Sequence, residues 1–98
     1  MNISISENAE HWFKDEMEAS PGDYVKFFAR YGGSSPLHEG FSLGITKEIP
    51  DEIAVETVMD GVHFYIEERD IWFFDNHDLQ VDTDPASEEL AFSYSKNS

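Results

Sequence analysis

The first candidate chemistry lies between two runs of strand character, at Gly32-Gly33-Ser34-Ser35, followed closely by His38-Glu39. Adjacent glycines expose backbone N–H groups and two serines add hydroxyls, a combination that can cradle an anion. No phosphate-loop lysine follows, and Arg30 is the nearby cation. Ser34 or Ser35 with His38 and an aspartate would also supply nucleophile, base and orienter in type. The Gly-x-Ser-x-Gly turn that presents a catalytic serine is absent, so no catalytic residue is assigned and the chain is read as a non-enzyme.

Imidazole and carboxylate together suit a hard or borderline divalent ion. His38 and Glu39 lie just past the glycines, and Asp75 and His77 form a second polar knot. If folding joins the two loops, His38, Glu39, Asp75 and His77 are the candidate metal ligands. No His-x-x-x-His or Glu-x-x-His spacing demands it. A third candidate is the segment Ile71-Trp72-Phe73-Phe74, flanked by Asp70, Asp75 and Asp78. It serves either to close the core or, through Trp72, Phe73 and Phe74, to bind a protein with a basic patch or a second copy of the chain.

Composition narrows the classes. The chain has 98 residues, which suffice for one domain with one modest core; a single domain over residues 1–98 is expected. With 14% aromatic residues it is not a disordered polyanion. The net charge is −15, unevenly spread: residues 1–50 carry 8 acidic and 4 basic residues (net −4), residues 51–98 carry 13 and 2 (net −11). Such a field repels nucleic acid and anionic membrane surfaces and attracts basic protein surfaces. The absence of cysteine excludes disulfides, thiol nucleophiles and thiolate metal sites. There is no basic leader followed by an apolar run, and no apolar stretch near the roughly 20 residues that span a bilayer. A cytoplasmic location is expected.

The elements that must position these residues follow from periodicity. Asn2–Ile5 reads as a short strand. Ser6 then caps a helix whose Ala9, Trp12, Phe13 and Met17 form one apolar face, with Glu10, Lys14, Asp15 and Glu18 largely opposite. Ser20-Pro21-Gly22-Asp23 turns the chain. From Tyr24 the period becomes two: Val25, Phe27, Ala29 and Tyr31 share one face, Tyr24, Lys26, Phe28 and Arg30 the other, so this strand is expected to be central and covered on both sides. Residues 32–36 form a loop, and Phe41, Leu43 and Ile45 mark the next strand. Asp60-Gly61 between Val55–Met59 and Val62–Glu67 predicts a type I′ hairpin. Asp70–Phe74 is a helical turn, Leu79–Thr83 and Leu90–Tyr94 are strands, and 96–98 a frayed end.

This order of elements, with Arg30-Tyr31-Gly32-Gly33-Ser34-Ser35 after the second strand and Gly40-Phe41-Ser42-Leu43 beyond it, resembles the HesB-like, A-type iron–sulfur carrier family and its Arg-x-Gly-Gly-Cys-Ser signature. The resemblance implies a mainly β fold: a HesB-like β-sandwich or partly open barrel of short strands with an N-terminal α-helix. It makes Gly32, Gly33, Ser34 and Ser35 the cofactor loop, with Ser34 at the first cysteine position. The family's C-terminal Cys-Gly-Cys has no counterpart in Phe92–Ser98, and a hydroxyl is a poor substitute for a soft thiolate. The resemblance therefore implies a non-catalytic, cysteine-free relative of iron–sulfur cluster biosynthesis proteins, its Fe–S cluster lacking ligands. Two alternatives accompany it: an acidic protein-interaction or regulatory module without metal, and a divalent-metal enzyme with His and carboxylate ligands.

Overall fold

The computed structural model describes residues 1–96. Seven strands, β1 (Ile3–Ile5), β2 (Tyr24–Ser34), β3 (Glu39–Lys47), β4 (Ile53–Met59), β5 (Val62–Glu67), β6 (His77–Thr83) and β7 (Leu90–Lys96), accompany one helix, α1 (Glu7–Glu16), and a 3-10 helix over Glu68–Phe74. The chain is thus mainly β, as expected. Lys96 ends β7 opposite His77; the frayed end expected over 96–98 otherwise lies outside the described residues.

The strands form two sheets, ordered β1-β6-β7 and β3-β2-β5-β4. β1 pairs parallel with β6, and β2 parallel with β5; the remaining pairs are antiparallel. No described strand of one sheet pairs with a strand of the other, so the partly open barrel is replaced by two separate sheets. One apolar core joins them, with Ile3, Ile5, Leu79 and Val81 on the smaller sheet and Val25, Phe27, Phe64 and Ile66 on the larger. Phe27 meets Phe92 edge-on across the core, ring centroids 6.4 Å apart.

Helix α1 closes one end. The Ser6 hydroxyl accepts the Ala9 N–H at 3.0 Å and donates to Asp82 at 2.7 Å, capping the helix and tying it to β6. Ala9 and Phe13 are fully buried, and Phe13 packs on Phe64 at 4.9 Å. Glu10, expected on the open side, is also buried; its charge is met by Lys14 at 2.9 Å, which also reaches Asp60. The Asp60-Gly61 hairpin forms as its dipeptide requires, with φ of +50° and +79° joining Met59 to Val62.

β2 is central as expected, but the cover expected on its outer face is partial: Lys26 is buried against the 48–52 loop, Tyr24 and Phe28 are half-buried and Arg30 is exposed. Glu67, buried there, accepts from Arg69 Nη2 (2.8 Å), Lys26 Nζ (3.3 Å) and the N–H groups of Asp51 (2.7 Å) and Glu52 (3.2 Å). Lys26 also pairs with Glu48, and the Tyr65 hydroxyl donates to the Glu48 carbonyl at 2.6 Å. Burial pushes the Glu67 carboxyl up, but the Arg69, backbone and Lys26 donors together outweigh it and hold its pKa at about 2.

Candidate protein-docking surface

β2 outruns its neighbour. It pairs with β5 only over Tyr24–Lys26, whereas its ladder with β3 continues to Tyr31 and resumes at Ser34. Past Lys26 the 3-10 helix takes the place of a strand on that side, and Asp70 accepts the Ala29 N–H at 3.3 Å. This leaves the far half of the β2–β3 ribbon beside the 3-10 helix. The pattern that puts Tyr31 on the core face with Val25 and Phe27 holds, but the face extends beyond the core. Tyr31 is 87% exposed, leaning on Phe41 edge-on at 5.7 Å.

Phe41 in turn meets Trp72 edge-on at 5.2 Å, and the His38 ring lies 5.3 Å from Trp72 and 5.5 Å from Phe73. Tyr31, Phe41, Trp72 and His38 therefore form one continuous aromatic ridge drawn from three places in the chain. Periodicity alone could not assemble it; the signal in the sequence was the local excess of rings. Trp72 is 48% exposed, while Phe73 and Phe74 are fully buried. Of the three residues expected to bind a partner, only Trp72 is available. A turn of about three residues cannot present three consecutive side chains on one face, and Phe73 and Phe74 are taken by the core with Tyr94.

Trp72 also walls a second feature. A cleft of ≈ 480 Å³ opens beside it, its lining made of the apolar Met1, Ala54, Val55, Ile71 and Trp72 together with the polar Glu68, Asp75 and Asn76. Asp75 and Asn76 are both left-handed, with φ of +47° and +60°. Two such residues in succession turn the chain sharply out of the 3-10 helix, and Asp and Asn tolerate that conformation best among residues with a side chain.

The glycine loop is a device of the ribbon. Gly32 and Gly33, at φ of +111° and +68°, make the irregularity that interrupts pairing between Tyr31 and Ser34. Ser34 is an exposed strand residue paired with Glu39. Ser35 closes the turn on itself: its N–H donates to the His38 carbonyl at 3.0 Å, and its Oγ accepts the His38 N–H at 3.1 Å. The metal candidates do not converge. His38 packs among rings and its buried Nε2 has no hydrogen-bond partner among the described residues, whereas His77 Nδ1 faces the carbonyls of Phe74 and Asp75 at 3.0 and 2.9 Å. Among the described residues no three His, Asp or Glu side chains are grouped to hold an ion. No described helix is long and apolar enough to cross a membrane.

The two sheets thus leave Tyr31 and Trp72 as exposed aromatic contact area. The chain belongs to a family of small bacterial proteins that it matches from end to end. One member, from Bacillus subtilis, is named pyruvate dehydrogenase inhibitor and is 48% identical over 94 residues, spanning 96% of this chain and 99% of that protein. Uncharacterised proteins of Staphylococcus saprophyticus and Staphylococcus aureus are 40% and 32% identical over 96 residues each, covering 95% of this chain and 98% of theirs. No family model and no solved structure matches the chain. These findings overturn the HesB-like assignment and the iron–sulfur biosynthesis function that came with it: the named relative is an inhibitor, and no carrier family model matches. The glycine-serine motif that suggested the assignment is a strand irregularity plus a self-closed turn, which any ribbon of this shape can use. The metal-enzyme alternative has no grouped ligands behind it.

Proposed function

We propose that this chain is a protein inhibitor of pyruvate dehydrogenase that acts by binding, with no catalytic step of its own. Its 48% identity across 96% of its length to a protein of that name carries the reading. The docking surface is compatible with it. Trp and Tyr supply large contact area at a small cost in side-chain freedom and dominate the centres of protein interfaces, and here both project from a braced ribbon and helical turn. The partner is therefore a protein, the enzyme complex itself.

The test is a titration of purified pyruvate dehydrogenase complex with the chain, reading pyruvate-dependent NADH formation. Activity should fall with added chain and level off at a fixed ratio to one of the complex's subunits, without the progressive time course of a covalent modification. Full activity at a large molar excess overturns the proposal.

A further inference from the structure

The cleft beside Trp72 has walls of two kinds. Met1, Ala54, Val55, Ile71 and the indole supply apolar surface, and the exposed Glu68 and Asp75 line the same cleft. Among the described residues neither carboxylate has a hydrogen bond or ion pair to its side chain. Arg69, the cation next in sequence to Glu68, is turned away and engaged with Glu67 at 2.8 Å. Met1, which carries the N-terminal ammonium, also lines the cleft but forms no ion pair with Glu68 or Asp75 among the described residues, and residues 51–98 carry 13 acidic residues against 2 basic ones. Apolar surface with an exposed indole and two unpaired carboxylates matches one kind of side chain: a long apolar stem ending in a cation, which can lie along that surface, stack on the ring and meet the carboxylates.

We propose that the Trp72 cleft receives an arginine or lysine from a basic protein surface, while the adjoining Tyr31–Phe41 ridge covers apolar surface around it. The proposal deepens the inhibitor reading and rests on it: the basic surface is that of the inhibited enzyme. The left-handed Asp75-Asn76 turn fixes the backbone from which one of the two carboxylates projects.

Four proteins test it in the pyruvate dehydrogenase titration: the unaltered chain, Trp72→Ala, the pair Glu68→Gln with Asp75→Asn, and a remote pair, Asp15→Asn with Glu16→Gln, that removes equal charge from α1. Asn suits the left-handed position of residue 75, so the cleft pair keeps the fold, and circular dichroism with thermal melts confirms this for all four. Trp72→Ala and the cleft pair should each raise the inhibition constant about tenfold or more. The remote pair should change it less than about twofold, and the advantage of the unaltered chain over the cleft pair should shrink as NaCl is raised. If the unaltered chain inhibits and the cleft pair inhibits equally well, or if both acidic pairs weaken inhibition alike, the cleft assignment falls while the inhibitor reading stands. If the unaltered chain does not inhibit, both fall.

Discussion

Glu67 shows how one buried charge organises a face. Its carboxylate gathers donors from Arg69, Lys26 and two backbone N–H groups of the 48–52 loop, so replacing it removes one of the two carboxylates that meet Lys26 and releases the loop as well. Glu67→Gln should lower unfolding free energy by about 3 kcal/mol in urea melts at neutral pH, the scale of breaking a buried pair. The sign of the pH effect follows from a folded pKa of about 2 against an ordinary 4.5. The stabilisation is complete above 4.5 and is lost as pH falls toward 2. The unaltered protein should therefore lose more stability across that acid window than Glu67→Gln does; parallel curves would refute the assignment. Gly44 makes a steric prediction. A Cβ there would lie 2.4 Å from Cζ of Phe28, its cross-strand partner. Gly44→Ala should cost about 1–3 kcal/mol as overpacking, and adding Phe28→Leu should recover part of it. Neither effect was legible in the sequence, where Glu67 is one of 21 acidic residues and Gly44 an unremarked strand glycine.

The β4–β5 hairpin and helix α1 lie at the other extreme, because their determinants are local. Asp60-Gly61 specifies a two-residue turn through its own φ preferences, and Gly61 is doubly constrained: its φ is +79° and a Cβ would meet Pro21 Cβ at 2.9 Å. Gly61→Ala should lower Tm by several degrees, at about 4–8 °C per kcal/mol for a domain of this size. Ser6→Ala should cost about 1 kcal/mol for the lost cap, with more if the Asp82 contact counts. The β2–β3 ribbon depends on its surroundings. Period two correctly placed Tyr31 on the same face as Val25, but exposure there was decided by where β5 stops and the 3-10 helix begins. The 3-10 helix likewise sorts its aromatics by turn geometry, sending Trp72 outward and Phe73 and Phe74 inward.

For the molecule as a whole, a net charge of −15 on 98 residues acts twice. It destabilises the compact state by self-repulsion, and it attracts a basic partner. Salt screens both. Raising NaCl should therefore raise the Tm of the free chain while weakening its inhibition of the enzyme. These opposite trends, measured on one preparation, separate a charge-guided interface from simple unfolding. If inhibition strengthened with salt, apolar contact alone would carry the interface and the role given to Glu68 and Asp75 would be refuted.

The sequence by itself determined the class of fold and several of its joints: a mainly β chain, a Ser6-capped helix with a buried Ala9–Phe13 face and the Asp60-Gly61 hairpin. Each depends on residues a few positions apart, whose preferences act before any distant contact forms. Tertiary structure decided which strands join, because the parallel β1–β6 and β2–β5 pairings reward contacts far apart in the chain that no local pattern encodes. It also decided the surface. Tyr31, His38, Phe41 and Trp72 carry no common motif and meet only because the ribbon outruns its sheet against the 3-10 helix. The glycine-serine motif was legible and misleading for the same reason: a local pattern reports a local backbone need, here a bulge and a turn, and its chemistry depends on what the fold brings beside it.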